Sequence, residues 1–251
     1  MKAIILGLVQ GITEFLPVSS SGHLVVMKSL LGFQSPGIAF EVLLHLATML
    51  SVLVFFNKKV ITALLDWKYV LAIIVGCIPA GIVGVFFGDA IEAMFDGLKW
   101  VEIFFVLNGV LLIAGWKLAQ GNRNGKQLNL LTAFLIGLAQ ALAVMPGISR
   151  SGMTITAGVL LGLDREEAFK FSFFLFLPAV FGAGLLKARE ISEFAISAGE
   201  IGGFIVAFGI GILALSLLKN TLSSKKFSAY GVYTLVLGLI LIVVDKIFGM
   251  V

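Results

Sequence analysis

A carboxylate, an imidazole, a run of hydroxyls and a guanidinium stand out from a chain that is otherwise strongly apolar. Gln10 and Glu14 lie four apart, so a helix places them on one face. Pro17 follows, and then Ser19, Ser20, Ser21, Gly22 and His23. At a constant offset of 130 residues, Gly7, Leu8, Gln10, Ser19, Ser21 and Gly22 recur as Gly137, Leu138, Gln140, Ser149, Ser151 and Gly152, again around a proline, Pro146. The copies differ where chemistry is concentrated: the first carries Glu14 and His23, the second Arg150. A hydroxyl beside a carboxylate or histidine base supplies a nucleophile, and a guanidinium fork matches phosphate oxygens. Together they fit phosphoryl transfer, which needs positioning and neutralisation of oxygen charge.

Each residue also has a plainer reading. Glu14 at a loop tip reaches lipid headgroups; otherwise a lone carboxylate in apolar surroundings must meet water, a cation or a proton. Ser19, Ser20 and Ser21 with Gly22, and Ser149 and Ser151 with Gly152, are good N-cap and close-packing residues. Arg150 pairs with Glu14 for structure alone. His23 holds a proton, pairs with Glu14, binds metal or simply packs. Glu41 and His45, four apart, are a weaker signal for lining the same cavity, with Pro36-Gly37 just ahead. Glu102 and Glu200 are expected in water at helix starts, and Asp164-Arg165-Glu166-Glu167 reads as a helix cap.

These residues are embedded in a chain of 251 residues that is 59% hydrophobic and 13% charged. Its mean hydropathy is +1.10. Soluble domains carry about 25% charged residues, so the composition specifies an all-α polytopic membrane protein. A single membrane domain over 1–251 is expected. The net charge of +4 is scattered through short loops, with no basic stripe to track phosphates, which argues against nucleic acid. One cysteine, Cys77, excludes an internal disulfide. The N-terminus shows no convincing cleavage site and is read as mature sequence.

Six apolar runs are long enough to span, at 38–56, 69–88, 99–118, 166–186, 199–218 and 229–248. Residues 3–31 and 130–162 are instead split by Pro17 and Pro146 into halves too short to cross. Each is expected to form a re-entrant helical hairpin with its tip near the midplane. The order is then hairpin, three spans, hairpin, three spans, which makes repeat two (about 129–251) an inverted-topology copy of repeat one (about 1–128). Inverted repeats with broken helices place their site at the repeat interface. Two helix N-termini would point at one spot there, an anion site, and at that depth the phosphate is expected on a lipid. Eleven basic residues on one set of loops (Lys58, Lys59, Lys68, Lys117, Arg123, Lys126, Arg165, Lys170, Lys219, Lys225, Lys226) face six on the other (Lys2, Lys28, Lys99, Lys187, Arg189, Lys246). The first set is therefore expected to be cytoplasmic, with both termini outside.

The stretches Gln10-Gly-Ile-Thr-Glu14-Phe-Leu-Pro-Val-Ser-Ser-Ser-Gly-His23 and Pro146-Gly-Ile-Ser-Arg-Ser-Gly152 resemble the signature motifs of the bacterial undecaprenyl-pyrophosphate phosphatase family, the bacitracin-resistance membrane phosphatases. The likeness runs over the full chain, including Phe40-Glu41-Val42 and Phe171-Ser172-Phe173. It implies hydrolysis of a polyprenyl pyrophosphate to its monophosphate and inorganic phosphate, recycling the lipid carrier of peptidoglycan assembly at the outer side of the plasma membrane. It also implies a divalent cation, Mg2+ or Ca2+. By the same resemblance Glu14 is the essential carboxylate, Ser20 a nucleophile or phosphate ligand, His23 a further catalytic candidate, and Arg150, flanked by Ser149 and Ser151, the pyrophosphate clamp. Many members carry Glu where this chain has Gln10, which weakens a metal site built on Glu14 and Gln10. The nucleophile stays open between Ser20, His23 and water; a homodimer is an open alternative to a monomer. A polyprenyl-phosphate flippase, an architecture that also uses inverted repeats, is the competing reading.

Overall fold

Both prolines break their apolar regions at the expected places. In a computed structural model describing residues 1–33, 39–119, 125–187, 196–222 and 226–248, the chain runs α1 (Lys2–Thr13), α2 (Ser20–Leu31), α3 (Ala39–Phe56), α4 (Lys58–Leu65), α5 (Trp67–Glu92), α6 (Leu98–Ala119), α7 (Leu130–Leu142), α8 (Arg150–Leu160), α9 (Arg165–Leu186), α10 (Ala198–Leu222) and α11 (Phe227–Phe248). Six of these helices, α3, α5, α6, α9, α10 and α11, are long and apolar enough to cross a membrane. The pairs α1/α2 and α7/α8 are the two hairpins, each helix 11 to 13 residues long. The segment 57–68, expected as a loop, contains the short helix α4. Arg123, Arg189 and Lys225 of the loop-charge count, with Pro36 and Gly37, lie outside the described residues.

Each hairpin rests on a long helix from the other half of the chain. Helix α1 packs along α10, and α7 packs along α5. The crossings are backbone against backbone: a Cβ on Gly7 would lie 2.1 Å from the carbonyl oxygen of Gly203, and one on Gly137 would lie 2.3 Å from that of Gly76. Small residues at such points let helices approach closely, as membrane packing requires. The repeat of Gly7 as Gly137, unremarkable in so glycine-rich a chain, therefore marks two equivalent crossings. Helices α6 and α11 pair along their length between the hairpins, Gly109 against Gly231.

That pairing corrects one expectation. Glu102 is only 7% exposed, because α11 covers the face of α6 on which it lies; Val106 and the Glu102 carbonyl back onto Gly238. Asp164 behaves as its sequence suggests, its carboxylate accepting from the Glu167 N–H at 2.7 Å to start α9. The main core is aromatic: Phe15 at the first tip sits edge-on to Phe173 and Phe176 of α9, and Phe56, Phe169 and Phe174 extend the cluster.

Candidate active site

The two hairpin tips are locked to each other before any charge is considered. Ser19 and Ser149 cap α2 and α8, their hydroxyls accepting from the N–H of Gly22 and Gly152. The Ser19 hydroxyl also accepts from the Gly147 N–H of the opposite tip at 3.2 Å. Ser151 donates in return to the Leu16 carbonyl at 3.4 Å. Ser21 and Ser151 lie 3.2 Å from the hydroxyls of their own capping serines. The turns are tight: Ser19 has φ 68° and Gly147 φ 107°, where a side chain is unfavourable. A Cβ on Gly147 would also meet the Val101 carbonyl at 2.8 Å. Gly22 and Gly152 make room for the other tip, a Cβ on each falling 3.1 Å from Gly147 and 2.9 Å from Pro17 respectively.

Asn108, fully buried in mid-α6, ties both tips to the body of the protein. Its Oδ1 accepts from the Ser149 N–H at 2.9 Å, and its Nδ2 donates to the Pro17 carbonyl at 3.5 Å and to Thr234 of α11 at 3.2 Å. The sequence held a signal for it, since a lone amide inside an apolar span is costly unless fully hydrogen-bonded.

This frame brings the opposite charges together. One carboxylate oxygen of Glu14 takes Arg150 Nη2 at 2.6 Å. The other accepts from the Ser20 hydroxyl at 2.5 Å and from Gln10 Nε2 at 2.9 Å. Arg150 lies flat on Phe176, its guanidinium carbon 3.9 Å from the ring centre. Glu14 is 7% and Ser20 9% exposed. Arg150 Nη1 and Gln10 Oε1 are buried and find no partner among the described residues. Half of the guanidinium fork is thus unsatisfied among the described residues.

His45 joins the group from α3, a stronger placement than its sequence signal. Its Nε2 is 3.4 Å from Glu14 Oε2, while Nδ1 is 2.8 Å from the Glu41 carbonyl. A carbonyl only accepts, so Nδ1 carries the proton and Nε2 faces the carboxylate side. Glu41 is itself ion-paired with Lys28 at the cavity wall. His23 is not brought into the group. Its Nδ1 lies 2.7 Å from the Ser19 carbonyl and its Nε2 2.8 Å from the Tyr233 hydroxyl, and the ring stacks on Tyr233. Both nitrogens are engaged by α11 and the tip backbone.

The charged group opens into a cavity of about 1260 Å³, lined at this end by Glu14, Ser19, Ser20, Ser21, Ser149 and Arg150. The protein's own side chains, Glu14 with the Gln10 amide, would supply only part of a divalent cation's shell, and water and pyrophosphate oxygens the rest. Among the described residues no three His, Cys, Asp or Glu side chains cluster, whereas Mg2+ and Ca2+ take six or more oxygens. Glu14 already receives three donors, and Gln10 turns its nitrogen rather than its oxygen toward it.

Six helices long and apolar enough to span, with a buried carboxylate, hydroxyl and arginine brought together between them, mark a multi-pass membrane protein. Residues 3–240 match the family described as bacitracin resistance protein BacA, and the chain belongs to that family. It is similar to proteins named undecaprenyl-diphosphatase from Methanococcus vannielii (40% identical over 250 residues, covering 96% of this chain and 99% of the relative) and Elusimicrobium minutum (40% over 252 residues, 97% of each). A third, of the same name, is from Thermosipho melanesiensis (41% over 249 residues, 95% and 98%).

Proposed function

We propose that the protein hydrolyses undecaprenyl pyrophosphate to undecaprenyl phosphate and inorganic phosphate, recycling the carrier lipid of peptidoglycan synthesis. The observation that carries this reading is the triangle of Ser20, Glu14 and Arg150 at the head of the cavity. The names of the relatives support the substrate, and all of them refer to hydrolysis rather than transport.

On this reading the terminal phosphate lies against Arg150 Nη1 and the N-termini of α2 and α8, where partial positive charge gathers. Ser20 Oγ attacks the terminal phosphorus as Glu14 takes its proton. The bond to the bridging oxygen breaks, and its electrons leave with the lipid monophosphate. Water then cleaves the phosphoserine, releasing inorganic phosphate and returning the proton to Ser20; His45 Nε2, beside Glu14, is placed to relay it. Arg150 stabilises the charge in both steps. A divalent cation held beside Glu14 and Gln10 would add positive charge against the pyrophosphate oxygens.

The inverted relation between the halves belongs to the same reading. It is supported by the matched crossings of Gly7 on Gly203 and Gly137 on Gly76. With the basic loops cytoplasmic, the site opens outward from the plasma membrane with both termini outside. The deciding assay is phosphate release from undecaprenyl pyrophosphate by the purified protein. Glu14→Gln and Arg150→Ala should each lose about 100- to 1000-fold while remaining folded; unaltered turnover in both removes the assignment.

A further inference from the structure

A second cation stands on the wall of the cavity that holds the charged group. Among the described residues lining it, Lys28 and Arg150 are the two that carry a lysine or arginine side chain. Five carboxylates share the lining: Glu14 beside Arg150, Glu41 beside Lys28, and Asp89, Glu92 and Asp96 around the C-terminus of α5. Lys187 pairs with Glu92 at 2.8 Å, and Arg150 is already bound to Glu14. The balance of charge is therefore negative where a pyrophosphate, itself a polyanion, has to settle. Like charges repel at close range, and Lys28 is the lining cation not bound to the catalytic carboxylate.

Its place on the helix aims it at the site. Lys28 lies two turns of α2 beyond Ser21, on the same face, and both line the cavity. Seven residues at 1.5 Å each put about 10 Å between them along the axis. Helical side chains lean toward the N-terminus of their helix, and the N-terminus of α2 is the hairpin tip. The four-carbon stem therefore reaches back along the wall toward Ser20, Ser21 and Arg150. Its ammonium meets Glu41, one turn of α3 before His45, whose Nε2 is 3.4 Å from Glu14. One turn is about 5.4 Å, a step comparable to the length of a pyrophosphate group. The Lys28 and Glu41 side chains are 27% and 17% exposed, and a pair in contact with water adds little stability. A lysine on such a stem turns its three donors readily to a new acceptor.

We propose that Lys28 is a second phosphate ligand: as the pyrophosphate enters, the ammonium leaves Glu41 and holds the phosphate that bears the chain, while Arg150 holds the terminal one. This rests on the phosphatase reading and adds to it a residue that distinguishes two linked phosphates from one. A diphosphate spans both cations, whereas each product keeps one contact, so cleavage weakens the hold on both halves. The ammonium also faces the charge that develops on the departing lipid phosphate, where a fixed cation favours bond breaking.

The test uses the full-length protein in detergent, with undecaprenyl pyrophosphate as substrate and inorganic pyrophosphate and inorganic phosphate as competitors. Lys28→Met should lower kcat/KM about 10- to 100-fold, and Lys28→Arg should restore most of it. Inhibition by inorganic pyrophosphate should weaken about tenfold in Lys28→Met, while inhibition by inorganic phosphate, which needs Arg150 alone, should not change. Glu41→Gln breaks the same ion pair but keeps the ammonium, so inhibition by pyrophosphate should not weaken there. The double variant should bind pyrophosphate as poorly as Lys28→Met. Unchanged kcat/KM and pyrophosphate inhibition in Lys28→Met overturn the proposal, as does equal weakening of inhibition by phosphate and pyrophosphate. Equal weakening in Lys28→Met and Glu41→Gln overturns it too, leaving the pair a structural tie. A double variant that returns to wild-type inhibition overturns it by showing that Lys28 only screens Glu41. Wild-type protein inert toward undecaprenyl pyrophosphate removes the phosphatase reading, an outcome distinct from an active wild type matched by Lys28→Met.

Discussion

Arg150 donates from Nη2 to Glu14 across 136 positions of sequence, at 2.6 Å, while its Nη1 is buried without a partner among the described residues. A pair built only for stability would engage the whole fork, as bidentate arginine–carboxylate pairs do. Here one arm is held by Glu14 and the other is unpaired among the described residues, which on the phosphatase reading is the arm that meets a substrate oxygen. Removing one partner still strands a charge in a dry setting. Glu14→Gln is expected to destabilise the protein by about 3–5 kcal/mol. The double variant Glu14→Gln/Arg150→Met should recover part of that loss. Thermal unfolding of the single and double variants in one detergent reads the coupling directly; additive losses would mean that the two side chains do not interact.

Ser20 is the hydroxyl that Glu14 holds, at 2.5 Å. If it is the nucleophile, a single turnover with label in the terminal phosphate, quenched in acid, leaves phosphate on Ser20, detectable by mass spectrometry. Ser20→Ala should yield no such adduct and lose about 100-fold or more in turnover. Full turnover in Ser20→Ala would hand the attack to water held by Glu14.

The hairpins and spans were legible because their determinants are local. Pro17 and Pro146 break helices, Ser19 and Ser149 cap them, and the apolar runs have the length of a bilayer. The convergence of Glu14 and Arg150 was legible through the repeat, which turns two distant motifs into one place. The partners on helices outside the motifs were only faintly legible, Glu41 and His45 from their spacing and Asn108 as a lone amide in an apolar span. Asn108 bonds to tip backbone, and a carbonyl leaves no pattern in sequence. His45 enters because α3 packs beside the first hairpin, a tertiary fact. His23, a catalytic candidate by its place in the motif, has its ring held by the Ser19 carbonyl and Tyr233.

His45 is therefore expected to contribute to turnover more than to binding. Its Nε2 lies beside the Glu14 oxygen that holds Ser20, so His45→Gln removes a proton relay and leaves the arginine and the helix ends in place. Steady-state kinetics should show kcat lowered about 100-fold with KM little altered. A rise in KM alone would place the imidazole on the bound lipid instead.

Gln10 is the departure from many family members, and its amide now donates to Glu14 at 2.9 Å. Gln10→Glu replaces that donor with a second carboxylate, and two such groups at this distance need a proton or a cation between them. Phosphate release by this variant should depend more steeply on free Mg2+ or Ca2+ than in the parent protein, with stronger inhibition by a chelator. Equal cation dependence in both would show that residue 10 takes no part in holding the ion.

Asn108 gives a test of whether the frame, rather than the charged residues alone, makes the site. Asn108→Leu matches the amide in shape but leaves the Pro17 carbonyl and the Ser149 N–H without their bonds, each loss costing about 1–3 kcal/mol. Asn108→Asp keeps the acceptor for Ser149 and loses the donor to Pro17. The expected order of turnover is wild type, then Asp, then Leu, with the leucine variant also melting earlier. Cysteines placed at residues 18 and 148, one on each tip, provide a readout that fold stability alone does not move: oxidative cross-linking between them should slow in Asn108→Leu as the tips lose register. Cross-linking at the parental rate, together with lost turnover, would instead assign Asn108 a part in the chemistry.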